Sequence, residues 1–169
     1  YWLARMLAAG EDPRYVARRM IRFATEDIGL ADPQALTVAL AAHDAYHQLG
    51  TPEGELALAQ ACLYLATAPK SNSIYTAMGE VMEEIQRTGS LPVPFFIRNA
   101  PTRLMKDLGY GKGYQYAHEA DDKLTDMPCL PDNLKDRHYY RPTDEGFEKR
   151  LKEKMQAIEE WKRQRSKKQ

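Results

Sequence analysis

The chain has 169 residues, enough for one domain with its own core, and its 24 Lys/Arg balance 24 Asp/Glu. A neutral total excludes any partner argued from net charge alone. Two distant cysteines, Cys62 and Cys129, exclude a disulfide framework or zinc spacing and fit a reducing compartment.

The chain opens at Tyr1 without an initiating Met and already in helical register, so it is expected to be a piece of a longer protein. Trp2, Leu3, Met6 and Leu7 mark one face of a first helix that stops at Gly10. Asp12 then caps a second helix with Pro13 in its first turn. Ala17, Ile21, Ala24 and Ile28 form its apolar stripe, Arg18, Arg19, Arg22 and Glu26 the opposite side, and Gly29 its end. Asp32-Pro33 starts a third helix that reaches Leu49 and stops at Gly50. Thr51-Pro52-Glu53 repeats the device for a fourth.

That fourth helix is apolar nearly all round, with Leu56, Leu58, Cys62, Leu63 and Leu65 among alanines, and so must be covered on several sides. Cys62 reads as a small buried hydrophobe. A fifth helix runs from about Ser73 to Arg87, with Ile74, Met78, Val81 and Ile85 as its stripe and Gly89 as its stop. The alanine-rich runs are broken by charge and by Gly and Pro, so neither a signal peptide nor a membrane span is expected. Five helices joined by short turns give an all-α fold, a compact bundle of antiparallel neighbours. Few large residues are available to bury the fourth helix, which predicts a face suited to another subunit.

Residues 91–118 differ from everything before them. Pro92 and Pro94 fix extended backbone. Gly109, Gly111 and Gly113 alternate with Tyr110, Lys112 and Tyr114, a spacing that lets the backbone turn while presenting rings and an ammonium. Its aromatics predict an ordered loop, with a short helix over 101–108. Irregular chain is expected to follow to 142, with Tyr139-Tyr140 in a short strand or a docked segment. Thr143-Asp144-Glu145 caps a final charged helix to about Arg165, striped by Leu151, Met155 and Ile158, with Trp161 near its end. From Phe147 onward nine Lys/Arg face four Glu, read as a solvated helix with a frayed end. The organisation is thus one unit in three parts: a helical core over 1–90, an irregular docking segment over 91–142 and a terminal helix over 143–169.

The chemistry in this pattern is sparse. His43 and His47 stand at i, i+4 with Asp44 after the first, the shape of a zinc-protease helix, but Glu is the usual base there and no third ligand is placed; packing or surface histidines are expected, and no metal. Gly109 to Gly113 fails as a phosphate loop, because Lys112 is followed by Gly and no strand precedes it. A structural turn is the plainer reading of this loop. The other is nucleic-acid contact by Arg98, Arg103, Lys106, Tyr110, Lys112 and Tyr114, with amides and cations on phosphates and rings on bases. Glu83-Glu84 and Asp121-Asp122 are expected to be solvated, and no Ser or Cys has an activation motif.

Phe95-Phe96-Ile97-Arg98-Asn99-Ala100-Pro101-Thr102, followed by Leu108-Gly109-Tyr110-Gly111-Lys112-Gly113-Tyr114, resembles the C-terminal domain of the replication-associated recombination protein A family (RarA, also MgsA). Its eukaryotic relatives are the Werner helicase-interacting ATPases. The resemblance spans nearly the whole chain and includes Glu26-Asp27-Ile28-Gly29-Leu30-Ala31-Asp32-Pro33, Pro69-Lys70-Ser71-Asn72-Ser73 and Tyr139-Tyr140-Arg141-Pro142-Thr143; it is weakest from Glu119 to Cys129. It implies an all-α domain placed after an AAA+ ATPase module of the clamp-loader clade. It further implies assembly into a homotetramer through this domain, and work on DNA at stalled replication forks near single-strand-binding protein, in the cytoplasm at the nucleoid. ATP and Mg would be held by the upstream module, so no cofactor and no catalysis are expected in these residues. Two readings follow: an oligomerisation domain, or a DNA-binding module using the 91–118 loop.

Overall fold

The computed structural model describes residues 1–119 and 122–166. Its elements are all helical among the described residues: α1 (Trp2–Ala8), α2 (Pro13–Phe23), α3 (Gln34–Leu49), α4 (Glu53–Thr67), α5 (Ser73–Thr88), α6 (Arg103–Asp107) and α7 (Gly146–Ser166), with short 3-10 turns between. The expected all-α architecture is present, and the helix ends fall within a few residues of their sequence signals. By packing the chain divides into two units, Tyr1–Glu80 with Tyr140–Glu153, and Val81–Tyr139 with Lys154–Gln169.

The first unit is built on small side chains. Asp12 Oδ1 accepts from the Arg14 amide at 2.9 Å and Asp32 Oδ1 from the Gln34 amide at 3.0 Å, so both Asp-Pro pairs start helices as their chemistry dictates. Ala17, Ala24, Ile28, Ala35, Ala39, Ala42, Leu58, Ala61 and Leu65 form the core. Alanines bring helix backbones close: a Cβ on Gly54 of α4 would stand 2.8 Å from the Tyr46 Cα of α3.

The structure corrects several readings. The second helix is not α-helical to its end, because Ala24–Ile28 forms a π-turn. There the Thr25 hydroxyl donates to the Arg22 carbonyl at 2.9 Å, and the Asp27 carbonyl accepts from the Ser71 amide at 2.8 Å. Thr51 does not cap α4: its hydroxyl lies 3.2 Å from the Tyr46 hydroxyl, and the first turn closes through the Gly50 carbonyl and the Gly54 amide at 2.7 Å. Cys62 is only half-buried, because it lines an open groove. The apolar stripe of α5 is not its buried face: Ser73 and Ala77 are buried and Val81 is half-buried, whereas Ile74, Met78 and Ile85 are exposed.

In the second unit, Thr102 caps α6 by accepting from the Met105 amide at 3.3 Å. Asp122 accepts from the Trp161 indole at 2.9 Å. Asp121 lies outside the described residues. Glu84, expected in water, has a side chain 10% exposed and pairs with Arg87 and with Arg137, the latter at 3.5 Å. Two guanidinium groups thus reach the same carboxylate of α5.

Candidate functional site

Three places in the chain hold more chemistry than packing requires. The first is the uncovered side of α4. Its buried face is Gly54, Leu58, Ala61 and Leu65. Leu56 and Leu63, seven residues apart and hence on one face, are 75% and 70% exposed. α1 lies beside α4 and leaves two apolar grooves. One, of about 650 Å³, is lined by Leu3, Leu7, Leu56 and Ala59 among others. The other, of about 460 Å³, is lined by Leu3, Met6, Phe23, Cys62 and Leu65 with Arg19 at its edge. Leu56 and Leu63 thus put a large apolar area of α4 in solvent.

The second place is the 91–118 segment, which is organised by Arg98. Its guanidinium lies over the Phe95 ring at 4.3 Å and the Tyr110 ring at 5.1 Å. Those rings meet edge to face at 5.4 Å. Arg98 also donates to the Val93 carbonyl at 2.6 Å and to the Tyr110 hydroxyl at 3.2 Å. The Gly111 amide donates to the Phe95 carbonyl at 2.9 Å, and Gly109, Gly111 and Gly113 all have positive φ. The predicted contact residues therefore part company. Arg98 and Tyr110 are half-buried in one clamp, while Arg103, Lys106, Lys112 and Tyr114 are exposed.

The third place was missed by sequence reasoning. Glu148, the third residue of α7, is fully buried. Oε2 accepts from the Thr143 amide at 2.8 Å, the Thr143 hydroxyl at 2.7 Å and the Ser71 hydroxyl at 2.8 Å. Oε1 accepts from the Tyr140 hydroxyl at 2.8 Å. Burial pushes this carboxyl up, but the bonds from Thr143, Ser71 and Tyr140 outweigh it and hold the group below the ordinary glutamate range. Tyr140 is pushed well above the usual tyrosine range, by burial first and by the carboxylate second. Tyr140 is thus docked rather than in a strand. The signal available in the sequence was an acid in the first turn of the last helix behind Thr143, a lengthened relative of the capping box.

His43 Nδ1 lies 3.1 Å from Asp44 Oδ1 and His47 is exposed. Among the described residues no group of three or more His, Cys, Asp or Glu is placed to hold a metal ion, and no helix is long and apolar enough to cross a membrane.

Among the described residues the chain is an all-helical domain with an exposed apolar helix face and one clamped basic loop. The model of the family described as MgsA AAA+ ATPase C terminal matches residues 1–159, and the chain belongs to that family. It is 54% identical over 157 residues to the replication-associated recombination protein A of Coxiella burnetii, covering 92% of this chain and 36% of that protein. It is 46% identical over 161 residues to the protein of the same name from Escherichia coli, covering 95% and 36%. A third relative is the ATPase WRNIP1 of Dictyostelium discoideum, 46% identical over 142 residues, covering 83% of this chain and 16% of that protein. The chain thus spans about a third of the length of the bacterial relatives it matches.

Proposed function

We propose that this chain is the assembly domain of an AAA+ ATPase acting in replication-associated recombination, and that it joins copies of itself into a homotetramer. The carrying observation is the exposure of Leu56 and Leu63 on α4, backed by a core made mostly of alanines. Obligate interfaces resemble a core cut in half, and residues 1–90 offer such a cut surface. Ile74 and Met78 of α5, in the same unit as α4, are exposed as well. ATP and Mg belong to the module that the relatives carry outside the matched third, so this domain hydrolyses nothing. We place the parent in the cytoplasm at the nucleoid, on DNA, beside single-strand-binding protein. Light scattering across a dilution series tests the assembly: the chain should keep a tetramer mass at micromolar concentration, and Leu56→Asp with Leu63→Asp should dissociate it without loss of helix by circular dichroism. A monomer at that concentration rules the reading out.

A DNA-contact reading stands beside it on one observation. Arg103, Lys106, Lys112 and Tyr114 are exposed in the short stretch whose Tyr110 is clamped by Arg98. Four copies of a weak basic patch would gain avidity in a tetramer. Lys112→Ala should weaken single-strand binding by the intact parent and flatten its dependence on salt; coincident isotherms across a salt series would remove this reading.

A further inference from the structure

Glu148 is buried, charged and unused by either reading above. Every group bonded to it is a neutral donor: the hydroxyls of Ser71, Thr143 and Tyr140, the Thr143 amide and, at 3.4 Å, the Ser73 hydroxyl. Lys149 and Arg150, which follow it on α7, are exposed, and three other nearby cations are engaged elsewhere. The Lys70 ammonium caps α4 on the carbonyls of Leu65, Ala66 and Ala68. Arg141 pairs with Glu80 at 2.6 Å and Lys152 with Asp144 at 2.9 Å. A carboxylate taken out of water persists only where polar groups replace its hydration, and here the replacement is complete without a counter-ion.

The donors come from two stretches far apart in sequence, 71–73 and 140–143. Apolar packing does little to hold these stretches together. In the segment Tyr140–Glu153, Phe147 is 44% exposed and Leu151 and Tyr140 are half-buried. The alanine core, by contrast, includes no residue of that segment. The strap and the core are therefore secured by different forces: the core by its own small side chains, the strap by directed polar bonds, those to the buried Glu148 above all, with the exposed Arg141–Glu80 pair and the close seat of Gly146 beside them.

We propose that Glu148 is a charge-specific latch, fastening the Tyr140–Glu153 strap to the 71–73 turn and releasing it, with α3 and α4 still folded, when the negative charge is removed. The pocket around it is in effect a small-carboxylate site that the chain fills from within. Hydrogen exchange on the full chain tests this. Glu148→Gln keeps the shape and loses the charge; amides of 140–153 and of Ser71 and Ser73 should then exchange about tenfold faster or more, while those of α3 and α4 stay as in the wild type. Glu148→Gly empties the pocket, and sodium formate should restore protection to the strap where sodium chloride of equal ionic strength does not. Wild-type protection in Glu148→Gln overturns the proposal, because the charge would be dispensable. So does faster exchange spread evenly through α3 and α4, or failure of the variants to fold, because the group would then support the core. Formate no better than chloride overturns it as well.

Discussion

Glu148 and Arg98 each organise a stretch of irregular chain around a single charge, and they do so in opposite ways. Glu148 is an anion with no water, satisfied by directed bonds to hydroxyls and one amide. Arg98 is a cation half in water, held between two aromatic faces with two bonds to oxygen. The difference lies in what remains when a partner is lost. A buried carboxylate left short of donors keeps its full desolvation penalty, whereas a half-exposed guanidinium is rehydrated. The first arrangement should fail steeply and the second gently.

The steepest failure should come from the backbone behind Glu148 rather than from the carboxylate itself. Gly146 has φ of 51°, and a Cβ there would land on the Ala31 carbonyl and within 2.7 Å of Pro69 Cγ. Both obstacles are rigid, and the conformation is strained for any other residue. Gly146→Ala should cost roughly 4 kcal/mol or more, or prevent α7 from docking, as read by thermal unfolding. A loss under about 1 kcal/mol would show that the strap tolerates displacement and that the steep side of the comparison is wrong.

Acid should act next. The Glu148 carboxyl lies below its ordinary value of 4.5 in the folded chain. Its contribution is therefore fully present above that value and is lost as pH falls through the lower, folded one. The gap in stability between the wild type and Glu148→Gln should be about 2–3 kcal/mol near neutrality and should close as pH drops below 4.5. A gap that widens on acidification would mean the group is buried as the neutral acid.

The unequal legibility of these regions in the sequence has a physical cause. Helix starts are readable at Asp12 and Asp32 because their carboxylates accept from amides two residues on, bonds that their neighbours in sequence determine. The family motifs were readable as strings, but not their meeting. Asp27 bonds to Ser71, and Ser71 to Glu148, across gaps that no local rule spans. The α5 stripe is legible as apolar but not as buried or bare, because a period of 3.6 residues reports that one face is apolar and is silent on what covers it. Ser73 and Ala77 face the interior instead, since a close approach needs small residues there. Within the 91–118 loop, the type of residue was informative and its direction was not. Arg98 and Tyr110 turn toward each other, while Lys112 and Tyr114 turn to solvent, from the same alternating pattern.

The gentlest test falls on Arg98. Arg98→Lys keeps the charge and the stem but loses the flat face that lies on Phe95 and Tyr110. The cost should be about 0.5–1 kcal/mol, because stacking at a partly hydrated site is worth little more. It should also be local. The Gly111 amide, bonded to the Phe95 carbonyl, should exchange faster, while the amides of α3 and α4 should not change. If the lysine variant behaved like the wild type, the clamp would be held by charge alone, and Arg98 would rank with the exposed cations Arg103, Lys106 and Lys112 as a group with its reach to spare. A loss as large as that of Glu148→Gln would show that the clamp is sealed from water, and the contrast between the two anchors would collapse.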